Sequence, residues 1–444
     1  MILHTKLDAL LLQLLEDCST ATTIHLAFSG GLDSSVLLHL LAANRDRLNV
    51  QLAAIHVHHG LQAQADAWGR HCESTCRALH IPLKQIELGL EVKAGESIEA
   101  QAREARYQAL ASAMGQGDLL LTAQHRDDQA ETLLLQLLRG SGPAGLASMP
   151  RRSRFGPGWL VRPLLDISRA ELQTYANAHQ IDWVEDPSNQ DLRFDRNFIR
   201  HQLMPLLRKR WPAASVTVAR SARLSSELQQ LGDELAAQDM QACQGLWSGT
   251  LSVAALQSLS APRLRSLLRH WVKRQGGAMP GSRHLQRILD ECLKCREDAQ
   301  PIVHWADQEV RRFHGALFLG KPLPPHDPRQ VIPWLDEKPL VLPAGIGQLR
   351  LEPAAQGVSA AQWHSARVEV RFRQGGERCL SAGFAHHRTL KNLLHDWLVP
   401  PWERDRLPLV YLDGRLAVIP GRLVCEPFLA AAGEAAVIPR WVAE

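Results

Sequence analysis

Six consecutive residues, Ser29-Gly30-Gly31-Leu32-Asp33-Ser34, carry the clearest chemistry in the chain. They join an apolar strand pattern at residues 24–28 to a helical pattern at residues 33–43. Two glycines permit positive φ and let backbone N–H groups approach an anion closely. The helix that follows points its unpaired amides and its positive end at the same place. A strand, a glycine turn and a helix in that order predict a phosphate cradle. The lysine that a P-loop places after its glycines is absent, and Asp33 stands there instead. An aspartate beside phosphates fits if it holds the Mg²⁺ that bridges their oxygens, or if it helps cap the helix. A second constellation is "HRDDQAET", residues 125–132. Asp128 and Glu131 are three apart and share a helix face, a pair suited to an ammonium group, while Asp127 reads as a favourable acid at a helix start. His125 is the candidate to orient or receive a proton. Arg106 shares a helix with Glu99 and Arg103.

The elements that must position these groups alternate. Strand patterns at residues 24–28, 50–57, 83–88 and 118–123 are separated by helical ones at 33–43, 66–79, 97–114 and 127–138. This predicts an α/β fold with a doubly wound, Rossmann-like parallel sheet. If the strand order is 3-2-1-4, strands one and four flank the switch-point crevice, and the glycine loop meets residues 125–131 in one cleft. Residues 54–62 follow the second strand, where nucleotide folds place adenosine contacts, and His56 is the candidate there. Residues 151–158, "RRSRFGPG", read as an exposed basic loop. A helical middle runs over residues 196–295, "KPLPPHDP" at 321–328 reads as a linker, and alternation beyond it predicts a small β-rich C-terminal domain. The predicted division is a catalytic domain over 1–216, a mainly helical one over 217–325 and a small α+β one over 335–444.

Bulk properties set limits. The 444 residues exceed one core, and 45% hydrophobic with 22% charged residues is an ordinary globular composition. A net charge of +4 permits a nucleic-acid partner without requiring one. The eight cysteines are scattered and form no dense framework, which suggests a reducing compartment. Cys292-x-x-Cys295 with His284 and His304 could sketch a zinc site, but a second such pair is absent and the setting is helical, while Cys72 and Cys76 read as packing residues on a helix. The first seventeen residues read as a helix and not as a signal peptide, and no apolar run is long enough for a membrane span, so a cytoplasmic location is expected.

Residues 29–34 match the PP-loop motif Ser-Gly-Gly-x-Asp-Ser. The whole chain resembles the tRNA(Ile)-lysidine synthetase family of PP-loop ATP pyrophosphatases. The likeness rests on that loop, on His59-Gly60-Leu61, on residues 99–107 and 125–132, and on "RPLL" (162–165), "EDPSN" (185–189) and "RNFIR" (196–200). It continues through "VRFRQGGE" (370–377), "LKNLL" (390–394) and "PPWERDRLPLV" (400–410). Many members have Asn or Asp before that histidine and Arg after the leucine, where this chain has His58 and Gln62. The resemblance implies that ATP, with Mg²⁺, adenylates the 2-oxygen of the wobble cytidine in an isoleucine tRNA with a CAU anticodon. The ε-amine of L-lysine then displaces AMP to give lysidine, and the codon read changes from AUG to AUA. It implies ATP contacts at Ser29, Gly30, Gly31, Leu32, Asp33, Ser34 and His56, with Mg²⁺ reached from Asp33 through ATP. It implies catalysis by Asp33 and His125, and lysine contacts at Asp128, Glu131 and Arg106. Arg196, Arg200, Arg208, Arg371, Arg373, Lys391 and Arg404 are the tRNA candidates. They belong to two basic clusters on separate parts of the chain, which suits a long backbone ligand. A tRNA thiolase and a small-metabolite amide ligase are the alternatives within the PP-loop group. The oligomeric state stays open, a homodimer among the options.

Overall fold

The computed structural model describes residues 21–48, 50–58, 65–89, 98–296, 299–380 and 386–442. The family-like His59-Gly60-Leu61 and the expected N-terminal helix lie outside the described residues. The chain divides into two units, Met1–Gly232 and Asp233–Glu444.

The first unit is built on a six-stranded sheet. Its strands are β1 (Thr23–Ala27), β2 (Gln51–His58), β3 (Leu83–Glu87), β4 (Leu119–Leu121), β5 (Arg152–Phe155) and β6 (Gly158–Val161). Their spatial order is β3-β2-β1-β4-β6-β5, parallel throughout except for the last pair. The main helices are α1 (Leu32–Ala43), α2 (Ala65–Ala78), α3 (Ile98–Ser112), α4 (Arg126–Leu138), α5 (Arg169–Ala178) and α6 (Ala214–Ala242), the last of which begins in this unit and runs past Gly232. Ile24 and Leu26 of β1 pack on one face with α1, Cys72 and Cys76 of α2, and Tyr175 of α5. Ile55, Leu120 and Leu160 meet Leu110 of α3 on the other face. Helices therefore cover both faces, the condition for parallel strands that read as continuous apolar runs. The expected 3-2-1-4 order holds, and β1 and β4 are neighbours in the register Leu26↔Leu121.

Residues 151–158 are not a loop. They form the hairpin of β5 and β6, with Phe155 paired to Gly158 across a turn in which Gly156 has φ +51°. The alternation Arg-Ser-Arg-Phe is a strand pattern that its basic residues disguise. After α5, residues 185–191 lead into a helical run made of Asp195–Phe198, a π-helical stretch Ile199–Leu203, and Met204–Arg210. This run places Arg196 and Arg200 one turn apart beside α4.

The second unit carries helices Val253–Gln257 and Ala261–Arg274 and the π-helical Ile288–Leu293 on a four-stranded antiparallel sheet. That sheet, built from Leu251–Ser252, Ile302–Trp305, Gln308–Phe313 and Ala316–Gly320, lies in the stretch expected to be mainly helical. Residues 321–327 have no regular structure. Beyond them a five-stranded and a four-stranded sheet form the β-rich region the alternation predicts. Cys379 and Cys425 are joined by a disulfide, a pairing that their 46-residue separation hides in the sequence. Among the described residues no helix is long and apolar enough to cross a membrane.

Candidate active site

The glycine loop sits where β1 ends. The Phe28 N–H donates to Ile55 O at 2.8 Å, so the chain stays tied to β2 until the turn begins. Gly30 has φ +78°. A Cβ there would lie 3.0 Å from Cys72 Sγ and 3.2 Å from Val184 Cγ2. The loop is therefore held between α2 and the segment after α5, whose Val184 N–H donates to Gly30 O at 2.9 Å. Ser29 Oγ and Ser34 Oγ are 3.1 Å apart, and Ser34 Oγ donates to Gly31 O at 3.0 Å. No side chain caps α1 at Gly31, so its first-turn amides keep their capacity for an anion. Gly30→Ala is expected to destabilise the fold by about 1–2 kcal/mol through the left-handed backbone alone, with the Cys72 contact adding to it. Thermal unfolding checks the loss of stability, and a raised KM for ATP checks the distorted cradle.

His56 braces this loop from behind. Its Nδ1 donates to Phe28 O at 2.9 Å, and Cys72 Sγ is 3.4 Å from the same nitrogen. Burial lowers the His56 pKa against the opposing pull of the Phe28 carbonyl, so the ring is neutral. Its Nε2 is buried without a partner. His56, expected to contact ATP, touches the start of the loop through Phe28 O.

Asp33 faces a cavity of about 660 Å³ together with Ser29, Gly31, Ser34, Arg106 and Asp128. Burial raises the Asp33 pKa against the opposing charges of His125, Arg169 and Arg200. Asp33 Oδ1 is buried with no hydrogen-bond partner, while Oδ2 is 3.6 Å from His125 Nε2. A desolvated carboxylate with an unused oxygen beside free helix amides is a fitting ligand for a cation carried by a polyphosphate. Among the described residues no cluster of three His, Cys, Asp or Glu forms a metal site of the protein's own.

His125 is the N-cap of α4. The Asp128 N–H donates to its Nδ1 at 3.3 Å, and the His125 N–H donates to Asp128 Oδ2 at 3.0 Å. Because Nδ1 accepts from the Asp128 amide, Nε2 is the nitrogen that carries a proton, and it lies 3.3 Å from Asp128 Oδ2 and 3.6 Å from Asp33 Oδ2. His125 Nε2 thus lies between the two carboxylates at ion-pair distance from each.

Asp128 and Glu131 share one face of α4, as expected, but both are already paired. Arg196 reaches Asp128 Oδ1 at 2.8 Å and Glu131 Oε2 at 3.1 Å. Arg200 reaches Asp128 Oδ1 at 2.9 Å and both Glu131 oxygens at 2.8 Å. Two arginines expected to face tRNA instead balance two buried carboxylates. Arg208, the third, binds Asp127 Oδ1 at 2.6 Å and Ser215 Oγ at 2.9 Å. Glu131 lies on the far side of this wall from Asp33 and lines a second cavity of about 510 Å³ with Arg126, Arg200 and Arg208. Burial pushes the Asp127 and Asp128 carboxyls up, but their hydrogen bonds and the neighbouring His125 and arginines outweigh it and hold both below 3.8. Their contribution to stability is therefore fully present above pH about 4 and is lost as pH falls through the lowered values. Urea unfolding between pH 6 and 2.5 should show this decline, and Arg208→Ala should flatten it by removing the guanidinium on Asp127.

Within the family-like stretches 185–189 and 196–200, several residues have tasks that only the fold shows. Asn197 Nδ2 donates to Ser188 O and Asp191 O, both at 2.9 Å, and so fixes the loop that brings Asp186 and Asn189 to the cavity wall. Arg169 and Trp183 also line the cavity and were missed. Each stands alone in a segment without a recognisable motif. In the second unit Arg371 pairs with Glu369 at 2.6 Å and lies 4.6 Å over the Tyr411 ring. Arg373 pairs with Asp405 at 3.1 Å, Arg404 Nε donates to Val399 O at 2.8 Å, and Lys391 is exposed. Cys72 and Cys76 are buried behind the loop, their thiols pushed by burial up to about 12 and about 11. Such thiols are not nucleophiles at neutral pH, which disfavours sulfur transfer by this pair.

Residues 3–207 match the family model of a PP-loop domain, 251–318 that of a TilS substrate binding domain, and 368–441 that of a TilS substrate C-terminal domain. The tRNA(Ile)-lysidine synthase of Coxiella burnetii is 39% identical over 418 residues, covering 94% of this chain and 93% of that protein. The one from Pectobacterium atrosepticum is 44% identical over 418 residues, with 94% of each covered. The one from Methylococcus capsulatus is 42% identical over 423 residues, covering 95% and 96%. With its PP-loop, its cavity and near-full-length identity of this order, the chain belongs to the tRNA(Ile)-lysidine synthase family.

Proposed function

We propose that this chain is an ATP-dependent ligase that attaches L-lysine to C2 of the wobble cytidine in an isoleucine tRNA with a CAU anticodon. The observation that carries the reading is the single cavity in which the uncapped amides of α1, Asp33 and Asp128 meet. The amides of residues 31–34 receive the β- and γ-phosphates of ATP. Asp33, with an unused carboxylate oxygen facing the cavity, is the residue that would hold the Mg²⁺ brought by ATP, and that ion would supply neutralisation of charge for the departing pyrophosphate. The cytidine O2 attacks the α-phosphorus, the bond to the β-phosphate oxygen breaks, and pyrophosphate leaves. The lysine ε-amine then attacks C2, the C2–O bond breaks, and AMP leaves with the former O2. The amine, with an ordinary pKa near 10.4, gives up its proton before attack.

His125 keeps Asp33 and Asp128 oriented through its Nε2–H. Asp128 and Glu131 are the acceptors for lysine's ammonium or amino groups, and lysine takes up contacts that Arg196 and Arg200 make in its absence. Arg106 stands on the same cavity wall as a carboxylate partner. Residues 1–216 thus perform the chemistry, while 217–325 and 335–444 hold tRNA, with Arg371, Arg373, Lys391 and Arg404 as contacts. A tRNA substrate places the enzyme in the cytoplasm. Incubation with total tRNA, ATP, Mg²⁺ and labelled lysine tests the reading. Label confined to one cytidine of one tRNA supports it, and tRNA-independent pyrophosphate release would point to a small-metabolite ligase.

A further inference from the structure

Arg196, Arg200 and Arg208 are occupied by Asp128, Glu131 and Asp127. Before lysine binds, the first unit's grip on tRNA falls to cations outside these pairs. A groove of about 460 Å³ on the same unit is lined by Arg126, Arg151, Arg220 and Arg223, with Asp166 as its acid. We propose that this groove is a docking track for the phosphate backbone of the tRNA substrate, an inference that rests on the tRNA reading above.

Three observations support it. First, the guanidiniums outnumber the carboxylates that satisfy them. Arg220 is exposed and has no ion-pair partner among the described residues. Arg223 approaches only Glu227, at 3.9 Å with both side chains more than half exposed, a pairing of little strength. Arg126 donates to Asp166 O and Glu171, yet its Nε is buried with no partner. Arg151 pairs with Asp166 at 2.5 Å. Second, Arg220 and Arg223 are three apart on α6 and share a face. Arg151 leads directly into β5, where Arg152 and Arg154 lie 4.2 and 4.0 Å over the Trp159 ring on the sheet's edge strand. Third, the groove is continuous with the site. Arg126 and Val216 line both the groove and the 510 Å³ cavity, and Arg169 and Arg200 line both that cavity and the 660 Å³ one. A backbone bound in the groove would remain next to the place where its cytidine reacts. Guanidinium forks match phosphate oxygens in pairs, and each neutralised phosphate releases counterions.

The test uses the full chain with the pair Arg220→Ala and Arg223→Ala. We expect the Kd and the KM for tRNA to rise about tenfold, and the slope of log Kd against log salt to fall by about two. The KM values for ATP and lysine and the kcat should stay within about twofold, since neither residue lines the catalytic cavity. The lysine pair, Arg220→Lys with Arg223→Lys, should recover most of the affinity. Arg77→Ala, which removes an exposed charge on α2, should leave tRNA binding unchanged. An unchanged tRNA Kd in the alanine pair would overturn the proposal, and so would an equal loss in Arg77→Ala. Binding is read apart from turnover. A wild-type protein that binds tRNA through these residues yet forms no lysidine would overturn the functional reading and leave the groove standing.

Discussion

Asp33→Asn is expected to lower the rate of lysidine formation by about 10²–10³, the usual effect of removing one group that stabilises developing charge in a closed site. The substitution keeps the side-chain volume, but it removes the negative charge that would hold Mg²⁺ against the phosphates. The loss should appear in the first half-reaction, as slower tRNA-dependent pyrophosphate release, with lysine KM little changed. Stability should move the other way. Burial raises the Asp33 pKa, so the folded state favours the protonated acid, and this group's contribution to stability declines as pH rises above 3.8. At pH 7 the neutral asparagine should therefore melt at a higher temperature than the wild type. A more stable protein with little activity is the signature of a strained catalytic carboxylate. Full activity in this variant would remove Asp33 from the mechanism.

Arg200→Ala should produce the largest loss of stability among the site variants, about 3–5 kcal/mol, because it leaves buried acids without a partner. Glu131 is only 2% exposed, and Arg200 makes contacts to both of its oxygens. Arg196 alone, with its Nε on one Glu131 oxygen, cannot replace them. Combining Arg200→Met with Glu131→Gln should recover much of the stability, since the charge left behind has then also gone. A double-mutant cycle in urea gives the coupling directly. Near-additive losses would show that the pair is not coupled. The restored double variant should still have a raised KM for lysine, because one proposed acceptor is missing.

The sheet and its order were legible in the sequence because parallel strands covered on both faces leave continuous apolar runs, as at Leu119–Leu121. The PP-loop was legible because its glycines and Asp33 are consecutive. The hairpin at β5 and β6 was missed because Arg152 and Arg154 made an alternating strand look like a charged loop. The partners of Asp128 and Glu131 were hidden for a different reason. Arg196 and Arg200 are more than sixty residues away, and nothing in a run of basic residues says which of them face solvent. Charge pattern indicated that cations were available, and only the packing of residues 195–210 against α4 decided their use. His125 was correctly placed beside Asp33, but its direction of proton donation follows from the cap of α4, which periodicity does not reveal.

Attack of the cytidine O2 on the α-phosphorus of ATP held at the start of α1 is the proposed first step. It can be tested with tRNA carrying ¹⁸O at that oxygen and mass analysis of the released AMP after a single turnover with lysine. The AMP phosphate should carry the ¹⁸O. AMP without the label, with lysidine still formed, would contradict it.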